Sequence, residues 1–214
     1  MFSERKGLMP LETLDDTAKQ ILSAASRRFL HYGFRKTTMS EIAEDCNMST
    51  GNLYRYFPSK MDIAETFVRV LRRETSDALR AIADDENLPS EEKLRRFFRH
   101  KLKVAYDRFH DNQKAYELSQ ELIAERPKFA VEWERHEGTI LADILAKAEE
   151  RGDFLIGGAP SAIARILQDA AYRFTGPGVI HEGELDFLKQ ELDGVLDLIL
   201  DAFACRTQQK HART

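Results

Sequence analysis

Residues 49–60, STGNLYRYFPSK, gather hydroxyl, amide, phenol, guanidinium and ammonium groups into one short stretch. Thr50, Asn52, Arg55 and Tyr56 can lie on faces of a helix that Leu53 and Phe57, one turn apart, do not use for burial. Such a face can meet a ligand by hydrogen bonding. Gly51 has no side chain and allows close approach. No catalytic chemistry fits this set, but small polar and aromatic side chains on a short helix, with a lysine just beyond it, suit a helix-turn-helix that reads the major groove of DNA.

The elements that must position these groups are marked by local signals. Thr38 with Glu41 fits a capping box and predicts a helix that turns Ile42, Ala43 and Cys46 inward. Asn47 follows the last apolar position and tolerates a left-handed C-cap. Ser49 then predicts the N-cap of the reader helix, Pro58 its end, and Ser59 with Asp62 the start of another helix. Upstream, a helix is predicted over 15–32, with Ile21, Ala25, Phe29 and Tyr32 as its buried stripe and Gly33 as its stop.

Residues 17–63 resemble the tetracycline-repressor (TetR) family of bacterial transcription regulators. The matching pieces are AAxxxFxxxGFxxTTMxxIA at 24–43 and MSTGNLYRYFPSKMDI at 48–63. The resemblance covers about the first third of the chain. It implies Thr38, Ser49, Tyr54 and Lys60 as phosphate anchors, and Thr50, Asn52, Arg55 and Tyr56 as base-edge candidates. Thr50 stands where many members have a basic residue, and Asn52 where Thr is common, so base preference does not carry over. The family also implies an effector cavity and a homodimer in the rest of the chain.

Other chemistries find little support. The chain has no Gly-rich phosphate loop, no G-x-S-x-G and no H-E-x-x-H. His100, His110 and His136 lie near Glu121, Glu132 and Asp111, but no two histidines have the i, i+4 spacing of a helical metal site, though Glu132 and His136 lie one turn apart; no metal and no cofactor are expected. Cys46 and Cys205 form neither a metal spacing nor an expected disulfide. Aromatics concentrate beyond residue 90: Phe97, Phe98, Tyr106, Phe109, Tyr116, Phe129, Trp133, Tyr172 and Phe174. With His100, Gln120, His136 and Arg173 interleaved, they could line a small-molecule pocket; each aromatic taken singly also fits plain core. The expected pocket set is His100, Tyr106, Gln120, Trp133, His136, Arg173 and Phe174.

A hydrophobic content of 43% with 32% charged residues is that of a globular protein. No apolar run is long enough for a membrane span, and the first residues lack the apolar core of a signal peptide, so a cytoplasmic protein is expected. The net charge of −4 divides unevenly. Residues 1–60 hold nine Lys/Arg and seven Asp/Glu, a net +2, whereas 61–214 hold 23 and 29, a net −6. The basic surplus falls on the segment that carries the reader.

The pattern is all-α, with about nine helices. The expected organisation is a polar arm (1–12, with Arg5 and Lys6), a three-helix DNA-binding domain (13–60), a helical ligand-binding and dimerisation bundle (61–205) and a polar, frayed tail (206–214). Helices are expected over 59–84, 90–110 (N-capped by Ser90), 112–125, 127–151, from the 157–161 loop to 175, and 182–205. The last two carry apolar stripes: Ile163, Ile166, Leu167, Ala170, Ala171 and Phe174, then Leu185, Leu188, Leu192, Val195, Leu196, Ile199 and Phe203. They could pack within one subunit or form a four-helix dimer interface; the family implies the second, through Ile166, Ala170, Phe174, Leu188, Leu192, Val195 and Ile199. The expected protein is a dimeric, effector-responsive repressor of a palindromic DNA operator. An activator or dual regulator is the alternative within that class, and a helical small-molecule-binding protein or enzyme the alternative outside it.

Overall fold

The structure, a computed structural model, describes residues 14–176 and 184–211, with side chains as far as Thr207. The polar arm, residues 177–183 and the end of the tail lie outside the described residues. Among the described residues the chain forms ten helices: α1 (Asp16–His31), α2 (Met39–Asp45), α3 (Thr50–Tyr56), α4 (Lys60–Asp84), α5 (Ser90–Phe109), α6 (Gln113–Glu125), α7 (Pro127–Arg151), α8 (Pro160–Ala170), α9 (Tyr172–Thr175) and α10 (Leu185–His211). None is long and apolar enough to cross a membrane.

The caps explain the boundaries. Asp15 accepts from the Ala18 N–H at 2.7 Å and starts α1. Thr38 and Glu41 form a reciprocal capping box at α2. Asn47 sits at φ 51°, the left-handed turn between α2 and α3 that a short amide tolerates. Ser49 accepts from the Asn52 N–H and caps α3. Ser59 accepts from the Asp62 N–H at 3.2 Å and donates to its carboxylate at 2.6 Å, which starts α4.

Three expectations change. Ser90 is not a cap: Pro89 holds that position without a side-chain bond. Ser90 is buried and its hydroxyl donates to Asp153 Oδ2 at 2.6 Å. The helix expected up to 175 breaks at Ala171 (φ −90°, ψ 2°) into α8 and α9. The last helix runs on past Cys205 to His211. Its extra turn is tied down, because the Arg206 guanidinium donates to the Ile156 carbonyl at 2.6 Å and the Thr207 hydroxyl accepts from the Leu155 N–H at 2.9 Å.

Packing divides the chain into two compact units that do not follow chain order. The first takes the described residues up to Glu74 together with Asn112–Glu132. The expected boundary at residue 60 thus marks the end of the reader, and α6 belongs with the reader helices. The core of this unit gathers Ile21, Ala25 and Phe29 of α1, Ile42 and Ala43 of α2, Leu53 and Phe57 around α3, Ile63 of α4 and Leu118 of α6. Within it, the buried Glu65 carboxylate accepts from Arg69 at 2.9 Å and from Arg126 at 3.2 Å. Two guanidiniums compensate that buried charge.

The second unit takes Thr75–Asp111 and the described residues from Trp133 on. Its core is built from α5 (Phe97, Phe98, Leu102), α7 (Ile140, Leu141, Ile144, Leu145), α8 and α9 (Leu167, Phe174) and α10 (Leu188, Leu192, Leu196, Leu200, Phe203). Ion pairs set the register: Arg99–Asp193 and Arg95–Asp197 hold α5 antiparallel to α10. Arg80–Asp143 and Asp84–Lys147 hold the end of α4 parallel to α7.

This core corrects part of the expected dimer interface. Phe174, Leu188 and Leu192 are 4%, 2% and 0% exposed within the protomer, so they pack its own interior. Val195 and Ile199 are half-buried, while Ile166 and Ala170 are exposed. Helix α10 is apolar on two faces, and one-dimensional periodicity does not say which face stays at home. Leu192→Ala should therefore lower protomer stability by ~2–5 kcal/mol through the cavity it leaves. Denaturant unfolding read at several protein concentrations checks this: a loss that disappears on dilution would place Leu192 between subunits instead.

Candidate nucleic-acid interface

The reader helix α3 is seven residues long and has two kinds of surface. Leu53 is fully buried and Phe57, its C-cap residue, is 1% exposed. Tyr54 and Arg55 stand exposed, and Thr50 and Asn52 are half-buried at the rim. Tyr56 is half-buried and packs against the core, so it shares its ring between protein and groove. The Ser49 hydroxyl oxygen accepts from Asn52 N–H at 3.1 Å, which leaves its proton free to donate outward.

Thr38 and Lys60 are placed differently. The Thr38 hydroxyl donates to Glu41 Oε2 at 2.8 Å while accepting from the Glu41 N–H at 3.3 Å. These bonds hold the Glu41 carboxyl below its usual value. The Lys60 ammonium donates to the carbonyls of Phe34 and Thr37, both at 2.6 Å, and lies 4.4 Å from the centre of the Phe34 ring. Burial pulls the Lys60 ammonium below its usual value, opposed by Glu121 and Glu41. Both groups expected as phosphate anchors are thus committed within the protein: Thr38 caps α2, and Lys60 staples the α1–α2 turn to the start of α4. The sequence hid the second role because carbonyl acceptors leave no mark on residue type.

A further lock went unread. Arg28 of α1 grips Asp45 of α2 with two bonds, at 2.6 and 2.8 Å, and reaches Glu41 at 3.2 Å. The bidentate bond raises the guanidinium far above its ordinary value and lowers the Asp45 carboxyl. It fixes the angle at which α2 supports α3.

In the second unit, the expected pocket residues separate. Trp133 is buried and its indole N–H donates to Glu137 Oε1 at 3.0 Å. His100 and His136 are half-buried, and burial lowers both from their usual values. Tyr106 stacks on His110, with ring centres 4.1 Å apart. Phe174 is core. Arg173 is exposed and pairs with Glu191 at 3.2 Å. Gln120 is exposed on α6 in the first unit and does not join the others. Among the described residues no cluster of His, Cys, Asp and Glu could hold a metal ion.

Other large apolar residues of this unit are exposed. Phe187 and Leu198 on α10 are 52% and 73% exposed, and Ile166 on α8 and Tyr172 on α9 are 53% and 49% exposed. Gly194 lies between the first two on the same face, and a Cβ there would meet nothing within 4 Å. Positions 187, 194 and 198 follow the helical i, i+7, i+11 rows, a signal that the stronger inward stripe obscured.

A short helix held by its apolar side, with hydrogen-bonding side chains outward and a capped helix behind it, defines a helix-turn-helix DNA-binding protein. The family comparison agrees. Residues 21–66 match the bacterial regulatory proteins of the tetR family, and residues 90–196 match the tetracyclin repressor-like C-terminal domain. The chain belongs to the TetR family of DNA-binding transcription regulators. It is 24% identical over 184 residues to the transcriptional repressor KstR2 of Mycobacterium tuberculosis, covering 82% of this chain and 91% of that one. A shorter match, 40% identity over 50 residues to the regulator HbdR of an Aromatoleum species, spans 23% of this chain and only 22% of that protein. The fold resembles the fatty acid degradation regulator FadR of Bacillus halodurans, with a TM-score of 0.69 at 19% identity over 86% of this chain and 96% of that one.

Lys60→Ala tests the staple. Loss of two charge-assisted hydrogen bonds should lower stability by ~1.5–3 kcal/mol, while the slope of log K against log salt for DNA binding stays as in the wild type. A slope reduced by about one would instead put the ammonium on a phosphate.

Proposed function

We propose that this protein is a ligand-responsive repressor that works by binding alone. Two copies occupy successive major grooves of a palindromic operator, with half-sites one helical turn (~34 Å) apart. The observation that carries this reading is the reader helix: Leu53 is fully buried and Phe57 1% exposed, while Arg55 and Tyr54 face solvent. Ser49 and Tyr54 serve as phosphate anchors, and Thr50, Asn52 and Arg55 as base readers, with Tyr56 at the edge. Asn and Arg suit this role because each can make a bidentate contact to a purine edge. Effector binding in the second unit biases the protein toward a form that fits the operator poorly; a differential affinity worth ~1–3 kcal/mol is enough. The protein acts in the cytoplasm, where its operator lies.

The dimer forms through the outward faces of α8 and α10, with Ile166, Ala170, Val195, Leu198 and Phe187 meeting their symmetry mates. The support is the exposure of these large apolar side chains, because apolar groups left on a protein surface in number mark an interface. Gly194 lets the two copies of α10 approach closely.

Fluorescence anisotropy with DNA from upstream of the protein's own reading frame tests the reading. Asn52→Ala should alter the preferred base at one position of each half-site, at a cost of ~1–3 kcal/mol. An equal loss for every operator variant would make Asn52 an anchor rather than a reader. Leu198→Glu should leave the protomer folded, because Leu198 is 73% exposed, yet bring two carboxylates together at the dimer axis. Sedimentation should then report a folded monomer with weakened operator binding. A Leu198→Glu dimer with wild-type affinity would move the interface elsewhere.

A further inference from the structure

Among the described residues of the second unit, three buried polar atoms have no hydrogen-bond partner: Ser76 Oγ on α4, His100 Nε2 on α5 and Glu191 Oε2 on α10, the last of which is ion-paired with Arg173. Ser76 is only 5% exposed. Leaving a buried hydrogen-bonding atom unpaired is costly, and most such atoms in folded proteins are satisfied. Ser76 and His100 lie on helices that run beside the same part of α7. The pairs Arg80–Asp143 and Asp84–Lys147 share an offset of 63 positions, which sets Ser76 opposite Thr139, one turn from His136. The Thr139 hydroxyl is already spent on the His136 carbonyl, at 2.7 Å. From the other side, the Glu137 carboxylate acts on both His100 and His136.

The charges around these orphans are already matched. Lys101 pairs with Glu137 at 2.5 Å, and Trp133 donates to the same carboxylate. Burial holds His100 below its usual value, against the pull of Glu137, which favours the uncharged ring. The same helices supply the fully buried Leu79, Phe97 and Ile140. Unpaired hydrogen-bonding atoms thus stand beside buried apolar side chains and a matched ion pair.

We infer that the effector site lies at Ser76 and His100, and that it takes a small apolar molecule with one uncharged hydroxyl or carbonyl, anchored on those two side chains. This inference rests on the ligand-responsive reading above and names its ligand class. Lys101 is paired with Glu137, and the side-chain cations that act on these histidines are already paired too, Arg80 with Asp143 and Lys103 with Asp107, so a carboxylate effector would have to displace one of those partners or stay unmatched. A hydroxyl or carbonyl satisfies the orphan atoms and leaves the Lys101–Glu137–Trp133 group intact.

Calorimetry on the full chain with 1-octanol, 2-octanone and octanoate tests the class, because the three probes share an apolar body. The alcohol and the ketone should bind, and octanoate should bind at least tenfold more weakly. His100→Leu should weaken the neutral probes by about tenfold, the loss of one hydrogen bond, without lowering the unfolding midpoint, since it removes an unpaired polar atom. Ser76→Ala should do the same. A structural role would show instead as a lower midpoint with unchanged binding. Tighter binding of octanoate, equal binding to wild type and His100→Leu, or binding of none of the three overturns the inference. Operator binding by the ligand-free protein is measured alongside: its absence would sink the regulator reading, whereas the calorimetry still reads the anchors.

Discussion

A helix of seven residues cannot hold itself in water, and that constraint organises the DNA-binding end of this protein. Nucleating a helix costs more than two turns can return, so α3 exists only because it is packed and capped. Leu53 and Phe57 are buried in the core of α1 and α2, and Ser49 closes the first turn. The side chains left over are those that can read DNA. Burial and recognition are therefore two sides of one short element, and neither can be changed without the other.

What supports α3 needs support in turn. Helix α2 is also seven residues long. It is held by the Thr38–Glu41 box at its start and by the Arg28 grip on Asp45 at its end. Lys60 then ties the turn before α2 to the start of α4 by donating to two carbonyls. These polar locks are directional where the hydrophobic core is not. The core decides that the helices associate, and the locks decide at what angle.

Local chemistry was legible in the sequence, and long-range chemistry was not. The Thr38 box, the left-handed Asn47 and the Ser49 cap involve residues within three or four positions of each other, and the structure has each of them. Ser90 looked like a cap for the same reason, yet its hydroxyl goes to Asp153, 63 positions away. Gln120 is interleaved with the aromatics in sequence, but α6 packs with the reader through Leu118. On α10 the expected stripe held the fully buried Leu192 but left out Leu198, 73% exposed, and Phe187, 52% exposed, because a single strong periodicity hides a weaker one beside it. Unpaired atoms such as Ser76 Oγ have no sequence signature, since the missing partner is a property of three dimensions.

The charge distribution ties the reader to the outward apolar face. A net +2 over residues 1–60 is a small surplus for a DNA binder, and several of those cations are occupied: Arg28 by Asp45, Arg35 by Glu121, Lys60 by carbonyls. The sequence-independent part of DNA affinity scales with the number of phosphates neutralised, so a small surplus leaves less of it per reader. A single weak reader would be lost among nonspecific sites. Two readers linked at fixed spacing add their specific contacts while the linkage raises the effective concentration of the second. A protein with so modest a basic surface needs its partner copy more than a strongly basic one would. Phe187, Leu198 and Ile166 are the exposed apolar residues that the proposed interface assigns to that task.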